Sequence, residues 1–176
     1  TDTDLGIAEE HLLRWLELGY HGEMGYMQHH GLKRSRPQLL VENSLRIISV
    51  RMDYLPDDTE DLLDLVEDPA MAYVSRYALG RDYHKVLRRR LAQLAKRIER
   101  RIGHFGYRVF VDSAPVLEKP LAEKAGLGWI GKNTLVLNAR LGSYFFLGEI
   151  VTTLELPLDF LEAGKTYTAH VYRDGD

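Results

Sequence analysis

Leu12, Leu13, Leu16 and Leu18 give the stretch from Ile7 to Gly19 an apolar stripe, which predicts an opening amphipathic helix stopped by Gly19. GYHGEMGYMQHHGLKRSRP follows, mixing Gly, Met, Tyr and His, and predicts a compact loop with a short helix over a pocket. Pro37 limits helix continuation there. In LRIISVRMDY (Leu45 to Tyr54), the apolar run through Ile47, Ile48, Val50 and Met52 predicts a strand buried on both faces. Pro56 and the acidic run from Asp57 to Asp68 predict a surface connection. In HKVLRRRLAQLAKRIERRIG, Leu87, Leu91, Leu94, Ile98 and Ile102 recur at helical spacing, and Gly103 marks the end. Tyr107 to Asp112 (YRVFVD) predicts a second buried strand, and Pro115 to Ala125 a short helix interrupted by Pro120. Thr134 to Leu137 and Tyr144 to Thr153 predict further strands, with Asn138 to Gly142 as the turn between them. Strands alternating with helices imply an α/β or α+β layered domain.

Composition narrows this picture. A chain of 176 residues, 45% apolar and 28% charged, suits one soluble domain or a domain with an appendage, with a core of its own. Lys and Arg total 23 against 26 for Asp and Glu, a formal charge of −3, which excludes a strongly basic DNA-coating protein but allows a local basic patch. With no cysteine, the chain itself supplies no disulfide, zinc-thiolate site or cysteine-ligated iron–sulfur cluster. No run of about 18 apolar residues predicts a membrane span. The acidic start, TDTDLGIAEE, does not read as a signal peptide, so a cytoplasmic protein is expected; a start on Thr is expected of a trimmed chain.

Four places carry candidate chemistry. Asp112 ends a strand, just before the turn Ser113-Ala114-Pro115, where loops gather over a sheet. Apolar surroundings there are expected to raise its pKa from about 3.9 and let it donate a proton near neutrality. The plainer alternative is an Asx-turn or helix cap. AGLGWIGKNT (Ala125 to Thr134) offers glycines, Lys132 and Asn133, which suit either a ligand-gripping loop or a simple turn; its spacing does not match a dinucleotide fingerprint. Ahead of the long helix, Asp82 suits a cap, and His84 a contact to a phosphate or cofactor amide or plain exposure to solvent. The helix itself carries Lys85, Arg88, Arg89, Arg90, Lys96, Arg97, Arg100 and Arg101, a face that is either solvated or suited to RNA phosphates. Adjacent His29 and His30 point apart, so no metal site is expected.

Taken together, KRSRPQLLVENSLRIISVRMDYLP, SRYALGRDYHKVLRRRL, FVDSAPVLEKPLAEKAGLGWIGKNTLVLN and GSYFFLGEIVTT resemble, in order, the epoxyqueuosine reductases, cobalamin-dependent enzymes that complete queuosine in tRNA. The resemblance covers most of residues 20 to 153. It implies a nitroreductase-like cobalamin-binding domain that reduces epoxyqueuosine in tRNA, losing the epoxide oxygen as water. It also implies that Asp112 is the proton donor, and that Arg34 (with Arg36 as the alternative), Ser75, Asp112, Asn133, Val136 and Leu147 line the cofactor. Alternatives are a non-catalytic cobalamin- or tRNA-binding module and a nitroreductase-like flavoprotein.

The family continues into a region holding two 4Fe-4S clusters, and many members add a helical-repeat domain that helps grip tRNA; this sequence has neither. It therefore reads as a fragment without its electron relay, its electron donor unknown. Residues 1–157 form the expected reductase domain. The tail, 158–176 (LDFLEAGKTYTAHVYRDGD), departs from the family. It resembles a β-hairpin from the C-terminal domain of family-97 glycoside hydrolases, with Gly164-Lys165 as its turn and Thr166 to Tyr172 as an edge strand.

Overall fold

A computed structural model describes residues 1–55 and 66–158. The elements are α1 (Gly6–Glu17), α2 (Tyr26–His29), β1 (Arg46–Asp53), α3 (Tyr83–Ile102), β2 (Tyr107–Phe110), α4 (Glu118–Lys124), β3 (Trp129–Ile130), β4 (Val136–Leu137) and β5 (Phe145–Thr152). Short 3-10 turns lie at Gly31–Arg34, Pro37–Leu39 and Arg76–Ala78. The acidic connection from Asp57 lies mostly outside the described residues, as does the hairpin expected at 158–176, but for its first residue.

β5 is the centre of the molecule. It pairs antiparallel with β1 (Arg46 opposite Thr152, Asp53 opposite Phe145) and with β2 (Tyr107 opposite Thr152, Phe110 opposite Glu149). The sheet order is β1-β5-β2. These antiparallel pairings, with helices packed on the sheet, make the fold α+β and correct the α/β alternative. β1 is an outer strand of this sheet and, apart from buried Ile47, is mostly half-exposed, which corrects burial on both faces. The apolar run from Ile47 to Met52 suits a central strand, but the sheet places it at the edge.

Strand alternation sends Phe146, Gly148 and Ile150 to one face of β5, and Phe145, Leu147, Glu149 and Val151 to the other. On the first face lies α3, whose Leu87, Leu91 and Ala95 pack with Val111 and Ile150. Gly148 makes that approach possible: a Cβ there would stand 2.9 Å from Leu91 Cδ1. Asp82 caps α3 by accepting the His84 amide at 3.0 Å, and Gly103, at φ 91°, ends it. On the second face, Leu121 joins Leu5, Ile47, Phe110, Val116 and Val151. Ala122, also from α4, packs with Val136 and Phe145. Pro120 sits in the first turn of α4, where its missing N–H has no intrahelical partner to lose, so it does not interrupt the helix as expected.

Two further differences are local. Of the opening leucine stripe only Leu12 is buried; Leu13 and Leu18 are exposed. β4 pairs with β3, a two-residue strand the sequence pattern did not predict, rather than with β5. Gly128 and Gly131 belong to that pairing, since Cβ atoms on them would lie 2.1 Å from the Leu137 carbonyl and 2.6 Å from Leu137 Cδ1. The glycines of AGLGWIG therefore have a packing reason in the turn itself.

Candidate active site

Asp112 follows buried Val111 at the end of β2 and adopts the left-handed backbone conformation (φ 47°), one that Asp tolerates better than most residues. Its amide donates to Glu118 Oε1 at 2.6 Å, across the turn into α4. Its carboxylate meets the start of α3: the Tyr83 hydroxyl donates to Oδ2, and His84 Nε2 lies 2.9 Å from the same oxygen. His84 Nδ1 lies 3.1 Å from the Asp82 carboxylate, so a neutral ring can donate to only one of its two acidic neighbours. Tyr83 is held between rings, stacked on Phe146 at 3.9 Å and on His84 at 4.0 Å. Burial, then the Asp112 carboxylate, pushes the Tyr83 phenol up, so it remains a donor. The resulting phenol–carboxylate–imidazole cluster can hold a proton and pass it to a group at the surface.

The Asp112 side chain is 54% exposed. The apolar enclosure expected to tune it is not formed by the described residues; its immediate partners are polar. One cavity of about 440 Å³ lies between the N-terminal segment, Ser35 and Gln38, away from Asp112. Another, of about 320 Å³, lies between Met52, Arg81, Tyr83, Arg90 and Phe146, against the back of the cluster. Asp112 instead stands on an open face.

The other residues expected at the site are spread around this cluster. Arg34 is buried, donating through Nε to the Met27 carbonyl at 3.2 Å and through Nη2 to the Tyr26 carbonyl at 3.0 Å; burial lowers its pKa. Arg36 is paired with Glu9 at 2.7 Å, and with Ser35 it holds that carboxyl at about 2. Ser75 is exposed at the start of the Arg76–Ala78 turn. Asn133 is exposed and accepts the Leu135 amide at 3.2 Å. Val136 and Leu147 pack behind α4. The basic residues of α3 are exposed along its outer side.

Glu118 and Glu149 were missed from the sequence. Glu149 is fully buried beside Glu118 and Ser49. Burial, then the charge of Glu118, pushes Glu149 well above the ordinary carboxylate range. Burial also raises Glu118, opposed by its bond from the Asp112 amide. The signal was available: Glu149 interrupts an otherwise apolar strand, where an unpaired charge is costly.

The solved structures this fold matches are epoxyqueuosine reductases. The Streptococcus thermophilus enzyme aligns at TM-score 0.73 and 32% identity, over 90% of this chain and 42% of that one. An epoxyqueuosine reductase solved with an epoxyqueuosine-modified tRNA-Tyr stem loop aligns at TM-score 0.73 and 25% identity, again over 90% and 42%. The Bacillus subtilis enzyme, described with its catalytic aspartate loop swung out of the active site, aligns at 0.70 and 26%, over 90% and 41%.

Sequence comparison names the family more narrowly. The family described as Epoxyqueuosine reductase QueG, DUF1730, matches residues 34–113. The epoxyqueuosine reductase of Pseudomonas aeruginosa is 65% identical over 159 residues, covering 90% of this chain and 44% of the relative. That of Escherichia coli is 54% identical, covering 90% and 42%. Over nine-tenths of its length, this chain is a relative of the epoxyqueuosine reductases, and it spans less than half of their length.

Proposed function

We propose that this chain is the nitroreductase-like, cobalamin-binding part of an epoxyqueuosine reductase, acting on epoxyqueuosine in tRNA with Asp112 as the proton donor. The observation that carries this reading is the Asp112 cluster, an exposed carboxylate gathered by Tyr83 and His84 at the end of the sheet. Opening an epoxide C–O bond leaves charge on oxygen, and a carboxylic acid within reach discharges it. The conversion takes up two electrons and two protons and releases water. Cobalamin, when bound, supplies the electrons, which no side chain here provides.

The accessible residues fit such a group in kind. A corrinoid has broad apolar faces and an amide-bearing rim. Tyr73, Tyr77, Leu79 and Leu135 are large, exposed side chains, and Ser75 and Asn133 offer polar atoms at the surface. Tyr77 lies close enough to Tyr83 to help raise its pKa, which sets that exposed ring near the Asp112 cluster. Val136 and Leu147 pack with Ala122 and Phe145 inside the domain, and Arg34 holds the 26–27 backbone. The exposed arginines of α3 supply charge for a tRNA backbone.

The test uses a full-length epoxyqueuosine reductase carrying this segment. Asp112→Ala is expected to keep the visible spectrum of bound cobalamin and lose about 10²–10⁴-fold in epoxide reduction. Retained turnover would refute the proton-donor role. Hydroxocobalamin titration that shows no binding, and no response to Asn133→Asp or Leu147→Arg, would remove the cofactor. Binding of FMN instead would identify a flavoprotein.

A further inference from the structure

We infer that Glu118 and Glu149 form a two-carboxyl latch holding one proton between them, in which Glu118 is a positioning residue that fixes the strained backbone of Asp112 and Glu149 keeps Glu118 able to accept. This deepens the reading of Asp112 as proton donor, and rests on it for its catalytic meaning.

Three observations carry it. Asp112 stands in the left-handed region, a conformation that costs a non-glycine residue energy and needs its surroundings to hold it. The bond that holds it is a 2.6 Å contact from its amide to the Glu118 carboxylate, short as charge-assisted bonds are. Behind Glu118 lies Glu149, fully buried, whose two oxygens meet no donor of good geometry among the described residues.

Two ionised carboxylates in contact repel and only accept hydrogen bonds. A proton on Glu149 turns the same contact into a hydrogen bond to Glu118. Glu118 can then remain an anion and take the Asp112 amide. The groups facing the pair are Asp112 from the turn after β2, His84 and Tyr83 from α3, and the Ser49 hydroxyl from β1. Arg51, two residues beyond Ser49 on the same side of β1, is paired with Asp53 at 3.6 Å. Deprotonating Glu149 places two like charges together and loosens the latch at high pH; protonating Glu118 weakens it at low pH.

The test is amide NMR on the full 176-residue chain, without cofactor or tRNA, so its outcome is separate from that of the enzymatic reading. The Asp112 amide proton is expected far downfield and protected from exchange. Glu118→Gln is expected to speed its exchange about tenfold and move it upfield. In the unsubstituted chain the downfield position is expected to fade at both low and high pH. Glu149→Gln, which cannot ionise, is expected to abolish the alkaline change and keep the acidic one, and His84→Gln to keep both. An Asp112 amide unaffected by Glu118→Gln, or an alkaline change that survives Glu149→Gln, overturns the latch. Should Glu118→Gln fail to fold, the alkaline limb in Glu149→Gln decides alone.

Discussion

The two faces of β5 solve the same packing problem differently. Toward α3 the packing is carried by apolar side chains, with Leu87, Leu91, Ala95 and Ile150 closing on a glycine. Toward α4 an equally buried layer contains Glu149 beside the Ser49 hydroxyl, and one Arg51 nitrogen meets no hydrogen-bond partner among the described residues. The first face is what stability alone favours. The second carries polar groups whose burial costs free energy, and it is the one that reaches Asp112 through Glu118. A strand that is inert on one side and titratable on the other separates holding the fold from placing the site.

The strongest way to break that contrast is Leu91→Ala on the α3 face. A cavity there is expected to cost about 2–5 kcal/mol, measured by chemical denaturation. Gly148→Ala should cost about 1–3 kcal/mol by forcing α3 outward, because its Cβ would meet Leu91 and Leu87. Removing one donor to the Asp112 carboxylate, by Tyr83→Phe, is expected to cost about 0.5–1.5 kcal/mol, read as a lower melting temperature.

Glu149→Gln has the smallest expected effect at acidic pH and sharpens the comparison through its pH dependence. The folded state raises the pKa of Glu149 above its ordinary value of 4.5, so folding favours the protonated form. Its contribution is fully present below that value and is lost as pH rises through the folded-state pKa. Glu149→Gln should therefore match the unsubstituted chain at acidic pH and be the more stable of the two at alkaline pH. Parallel stability curves across that range would show that Glu149 does not titrate with folding.

Much of the framework was legible along the chain. The spacing of Leu87 and Leu91 found α3, Gly103 its end, and Asp82 its cap. Asp112 was legible as a candidate because it ends an apolar strand, although a turn or helix cap explained it equally well along the chain. Tyr83 and His84 were visible as residues at a helix start, but not as partners of Asp112, because 29 and 28 positions, respectively, separate them from it. Arg34 was singled out only through the family resemblance, and its bonds from Nε and Nη2 to the Met27 and Tyr26 carbonyls were not legible in the sequence.

Local pattern by itself determined where the longer helices and strands form, since periodicity and capping act over a few residues. The antiparallel order around β5, the edge position of β1 and the β3–β4 pairing were decided by tertiary structure, because pairing depends on which strands meet. The meeting of Asp112, Tyr83, His84, Glu118 and Glu149 was decided there too. Hydrogen bonds and burial depend on distance in space, and a one-dimensional pattern carries no record of that distance.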